Sequence, residues 1–128
     1  MHDLLSKEPV KRVQEFLKKI DSELKVLVLD TAARTAKDAS SSLKCEVGAI
    51  VKSLLFKTDS NFLICLIAGD KRCSLNKLKK ILKKKDVSMA NADEVKATTG
   101  FSIGGVSPIA HTTKLDIFRE ILFSILHI

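Results

Sequence analysis

The sequence predicts an α+β fold, a mixed sheet with helices packed around it, and three observations carry that expectation. Two apolar, β-rich runs, 49-AIVKSLLFK-57 and 62-FLICLIAG-69, are separated only by Thr58-Asp59-Ser60-Asn61, the pattern of an antiparallel hairpin. Helical stripes preceded by N-cap residues stand on both sides of that hairpin. The strands and helices do not alternate as a parallel βαβ sheet would require.

The elements follow in order. Pro9 suits a first helical turn, and Val10, Val13, Phe16, Leu17 and Ile20 lie on one face, so a helix is expected over 9–20. KVLVLD (25–30) reads as a strand. Thr35 with Asp38 three residues on opens a helix to about Leu43. After the hairpin, Ser74 caps a helix whose apolar positions are Leu75, Leu78, Ile81 and Leu82. A short strand over 87–90 follows, then a helix capped by Asn91 and ended by Gly100. Near the C-terminus Leu115, Phe118, Ile121, Leu122, Ile125 and Leu126 fit a helical stripe, although LDIF alone also reads as a strand. That stripe needs a cover, either its own core or a second copy, so a homodimer through this segment is an expectation.

A length of 128 residues fits one domain, here divided into a helical extension (1–24) and a main unit (25–128). No uncharged apolar run approaches the ~18 residues that a membrane span needs, and no secretory signal opens the chain. Cys45, Cys65 and Cys73 form no CxxC pair, and His2, His111 and His127 have no ligand spacing. A disulfide framework and a metal site are therefore not expected. A cytoplasmic protein without membrane partner is the resulting reading.

Charge is concentrated in one place. The net formal charge is +7, yet residues 71–85 hold eight of the 22 bases and no acid. The remaining 14 bases face 15 acids. With the apolar stripe turned inward, Lys77, Lys80 and Lys84 share an outer face. Such a face is a solvated helix surface or a landing site for a polyanion. Unbalanced lysines on one short helix repel each other, and a phosphate backbone relieves this. With six Phe and no Tyr or Trp in the chain, phosphate contact is favoured over base stacking.

Two anomalies remain. Period two places Ile50, Lys52, Leu54 and Phe56 on one side of their strand and Val51, Ser53 and Leu55 on the other. A lysine inside a strand apolar on both sides either snorkels, pairs with a carboxylate such as Asp70, or belongs to a site. The second anomaly is 100-GFSIGGVSPIAH-111, which contains three of the five glycines and one of the two prolines. Gly104-Gly105 permits close backbone approach to an oxyanion, or else makes a tight turn. Phosphate-loop and GxSxG signatures are absent.

Taken together, IVKSLLF (50–56), AGD (68–70) and GFSIGGVSPIAH (100–111), in this order, resemble the YbaK/ProX family. These are free-standing relatives of the prolyl-tRNA synthetase insertion domain that hydrolyse mischarged aminoacyl-tRNA. The resemblance implies a strongly bent mixed sheet and a trans-editing deacylase that needs no cofactor or metal. It places the family's lysine on Lys52 and its Gly-x-x-x-Pro loop on Gly104 to Pro108. Lys52, Gly104 and Gly105 are then the catalytic set, with Ser107, Pro108, His111 and Asp70 around the substrate. Lys77, Lys80 and Lys84 would hold the acceptor stem by its phosphates, with a synthetase as a further partner. Family members continue beyond the histidine into closing strands that 115–128 matches only in part. A non-catalytic tRNA- or synthetase-binding module of the same fold is therefore the alternative.

Overall fold

The computed structural model describes residues 4–29, 33, 35–121 and 124–127. Helix α1 (Glu8–Ile20) starts with Pro9 in its first turn and ends over Lys18 and Lys19, whose charges suit the negative end of the helix. No residue of α1 is buried, so its apolar face is only partly covered. Helix α2 (Ala36–Leu43) begins where Thr35 accepts from the Asp38 amide at 3.1 Å, and Lys44 ends it in the left-handed region.

Strands β1 (Val51–Lys57) and β2 (Phe62–Ala68) pair antiparallel along their full length, from Val51 opposite Ala68 to Lys57 opposite Phe62. The turn is closed by Thr58, whose amide donates to the Asn61 carbonyl at 2.8 Å. Helix α3 (Leu75–Leu82) opens on Ser74, which accepts from the Lys77 amide. Strand β3 (Ser88–Met89) pairs with the end of β1. Helix α4 (Ala92–Thr99) has a complete capping box between Asn91 and Glu94 and stops at Gly100, φ 79°. Strands β4 (Asp116–Ile121) and β5 (Ser124–His127) complete a sheet of order β3-β1-β2-β4-β5. β4 runs parallel to β2, and the other pairs are antiparallel.

The sheet is covered on both faces, which explains its lack of alternation in sequence. On one face Phe56, Leu63, Cys65 and Ile67 bury against Leu78 of α3 and Val87, with Phe118 beside them. On the other, Leu55 and Ile64 pack with Ala90 and Val95 of α4, with Val106 and Ile117 alongside. Each fully buried Ile, Leu or Phe contributes about 1.5–3 kcal/mol relative to exposure.

Two expectations need correction. Residues 25–29 form no strand, and Asp30 lies outside the described residues. The Gln14 side chain takes the bonds a neighbouring strand would have made: its Oε1 accepts from the Val26 amide at 2.7 Å and its Nε2 donates to the Leu24 carbonyl. The C-terminal stripe is two strands and not a helix, with Leu122 outside the described residues. β4 is covered on two sides, Ile117 facing one core and Phe118 the other, so apolar residues at irregular spacing mimic a helix.

Candidate functional site

β3 reaches only Phe56 and Lys57, so the first part of β1 is a sheet edge among the described residues. The Ala90 amide donates to the Leu55 carbonyl on that edge. The two-residue period then turns the peptide groups of Val51 and Ser53 the same way. A cleft of about 570 Å³ runs along this edge. One wall is α2 and its approach, with Thr35, Ala36, Lys37 and Ala39; the floor is Ile50–Leu54 with Val47 and Gly69; Gly104 and Val106 lie opposite. Lys52 and Gly104, distant in sequence, therefore share one cavity.

Lys52 is half-buried on the α3 face of β1, and its Nζ donates to the Lys71 carbonyl at 2.7 Å. Among the described residues it has no ion pair, and Asp70 is not its partner. Asp70 is exposed outside the cleft, with its carboxylate against Gly48. Gly69 has a strict role. A Cβ there would stand 2.4 Å from the Val47 carbonyl oxygen, so only glycine lets the turn close beneath α2.

In the glycine loop, Gly104 adopts φ 81° and reaches the cleft. Gly105 does not line it, and its amide donates to the Ser102 carbonyl at 2.9 Å. That N–H closes the turn. Ser107, Pro108 and His111 also lie outside the cleft lining. Ser107 Oγ accepts from the Ile109 amide, and the Ser107 carbonyl accepts from His111 Nε2 at 2.7 Å. A carbonyl only accepts, so Nε2 carries the proton. Burial, followed by the charge of Arg12, lowers the His111 pKa, while the Ser107 carbonyl acts in the opposite direction. His111 is thus bonded to its own loop.

The basic segment is also rearranged. Lys83 ends α3 in the left-handed region, φ 56°, so Lys84 leaves the face on which Lys77 and Lys80 are exposed. Lys84 instead pairs with Asp59 at 3.2 Å, across the hairpin turn. Two cleft residues escaped the sequence reading. Lys37 adds a second cation to the lining, and Ser53 Oγ is buried without a hydrogen-bond partner among the described residues. Neither has a local sequence signature, because the cleft forms only when α2 lies beside β1.

Residues 30–120 match the profile of the aminoacyl-tRNA editing domain. The chain belongs to that family. Among solved structures, this editing domain superposes with a TM-score of 0.83 on a candidate trans-editing enzyme for prolyl-tRNA synthetase. That comparison has 36% identity and covers 89% of this chain and 73% of the other. The proline–tRNA ligase of Kosmotoga olearia is 35% identical over 94 residues, which are 73% of this chain and 16% of the ligase. That of Caldicellulosiruptor saccharolyticus is 26% identical over 116 residues, 91% of this chain and 19% of the ligase. The editing domain thus spans less than a fifth of the length of these ligases. No described helix is long and apolar enough to cross a membrane.

Proposed function

We propose that this editing domain acts in trans as an aminoacyl-tRNA deacylase. The observation that carries the reading is the convergence of Lys52 and Gly104 on one cleft, beside a strand edge that no described strand pairs. In the proposed reaction, water adds to the carbonyl carbon of the ester joining the amino acid to the terminal ribose. The ester C–O bond breaks, a proton passes to the ribose oxygen, and free amino acid leaves. The neighbouring ribose hydroxyl of the tRNA assists the attacking water.

Lys52 supplies positive charge at the carbonyl oxygen as it becomes an oxyanion. Peptide N–H groups along Gly104–Val106, other than that of Gly105, are the proposed further donors. One preorganised donor of this kind contributes about 3–4 kcal/mol in acyl transfer. The acceptor stem lies by its phosphates on Lys77 and Lys80, which provide affinity with little sequence reading. Lys84, beyond the end of α3 and tied to Asp59, is assigned a smaller share than Lys80. The catalytic unit is taken as 25–128, with 1–24 as an extension and a synthetase as a further partner. A homodimer through the C-terminal segment is not part of this proposal.

The occupied Gly105 amide favours a second reading, a module that holds tRNA without hydrolysing it. A panel of mischarged tRNAs, including alanyl, cysteinyl and seryl esters on the proline acceptor, separates the two. Release of one amino acid under single-turnover conditions supports the deacylase. Salt-sensitive binding without release of any ester supports the module.

A further inference from the structure

Arg12 stands before the residues that match the family, on a helix with no buried residue. Its guanidinium nevertheless reaches both roots of the glycine loop. Nε donates to the Ala110 carbonyl at 2.9 Å, and Nη2 approaches the Thr99 carbonyl at 3.5 Å. Its Cζ lies 4.5 Å from the ring centre of Phe101, which is buried and meets His111 edge to face. Nη1 pairs with Glu8 one turn earlier at 3.0 Å.

The two roots are special in themselves. Gly100 has φ 79°, and a Cβ there would stand 2.5 Å from Arg12 Nη2, so the guanidinium fills the space of a side chain. Ala110 adopts φ 64°, a left-handed conformation that non-glycine residues keep only when their surroundings impose it. The bond to Ala110 O is an imposition of that kind. Among the described residues, the loop's own hydrogen bonds run within it or back to its start: Phe101 to Thr99 Oγ1, Gly105 to Ser102, Ile109 to Ser107 and His111 to Ser107. The Thr112 amide joins the roots by donating to the Thr99 carbonyl at 3.2 Å. A planar fork with several donors suits this task, since one guanidinium can hold two carbonyls and cover a ring.

We infer that Arg12 is a positioning residue that clamps the two roots of the 100–111 loop and so fixes Gly104 and Val106 against the cleft. The inference concerns loop placement, and its catalytic consequence rests on the deacylase reading. It makes α1 a working part of the site rather than a packing extension.

The test uses the full chain with Arg12→Ala, Arg12→Lys and Glu8→Gln. Amide hydrogen exchange over 101–109 should rise roughly tenfold or more in Arg12→Ala while β1 and β2 exchange as in the wild type. Arg12→Lys should fall between, because one ammonium cannot hold both roots as a fork does. Glu8→Gln should match the wild type. Single-turnover deacylation by Arg12→Ala should fall about tenfold at unchanged tRNA affinity, as expected when alignment alone is lost. Unchanged loop exchange in Arg12→Ala overturns the inference, and so does an equal rise in β1 and β2. A wild type that releases no amino acid defeats the deacylase reading, while the exchange comparison still decides the clamp.

Discussion

Lys52 donates to the backbone carbonyl of Lys71 at 2.7 Å, so a strand lysine is held by the loop that leads into the basic helix. This bond fixes the ammonium without cancelling its charge, since a carbonyl is a dipole and not an ion. Lys52 lines the cleft along the edge of β1, and Lys37 lines it from α2, so two cationic side chains belong to its wall. The same loop, 71–74, links that cation to the Lys77/Lys80 surface.

The basic surface gives the first prediction. Replacing Lys77 and Lys80 together by Ala should weaken tRNA binding similarly for every tRNA. Each lost phosphate contact should flatten the slope of log affinity against log salt by about 0.7–0.9. Lys84→Ala should do less than Lys80→Ala, because Lys84 lies beyond the left-handed end of α3 and pairs with Asp59. Filter binding across a salt series checks this, and an equal effect from Lys84→Ala would place the stem elsewhere.

The glycines predict a contrast. Gly69→Ala drives a Cβ into the Val47 carbonyl and the Ala36 side chain, so it should cost about 1–3 kcal/mol, as overpacking does. At Gly104 a Cβ meets nothing within 4 Å, and only the positive φ resists. Gly104→Ala should cost roughly 1–2 kcal/mol, a penalty the loop relieves by shifting. Thermal denaturation reads the stability of both. Gly104→Ala should also slow deacylation more than its stability loss explains, which single-turnover rates would reveal.

The pH dependence of stability follows from His111, whose pKa is lowered chiefly by burial and then by Arg12. The unfolded chain binds the additional proton between the folded and unfolded pKa values. Stability from the neutral imidazole is therefore complete above about 6.5 and declines as pH falls through the window below it. Melting temperatures measured between about pH 7.5 and 5 should show that decline, and His111→Gln should flatten it. Asp59 and Glu94 do not interfere in this range. Lys84 lowers the first, and the Asn91 amide with Lys57 lowers the second, so both remain ionised.

The hairpin was legible because its runs are apolar, β-rich and four residues apart, and α4 because Asn91, Glu94 and Gly100 are local signals. Residues 25–29 misled because a single side chain, Gln14, satisfies the backbone in place of a strand. β4 misled because burial on both faces erases period two. At the site, Lys52 and the glycine loop stood out as local anomalies. Arg12 did not, since its partner Ala110 lies 98 residues away and no spacing rule links them. Lys84 was misplaced for a smaller reason: the left-handed turn at Lys83 stops α3 one residue short of it.

The central claim is that Lys52 acts on the ester within the cleft. Its most direct test is single-turnover deacylation of mischarged tRNA by the Lys52→Ala protein beside the wild type, with tRNA affinity measured on both. The account predicts a rate lower by about 10²–10³-fold, the loss seen when one oxyanion donor is removed, at nearly unchanged affinity. A mutant that hydrolyses at the wild-type rate would contradict it.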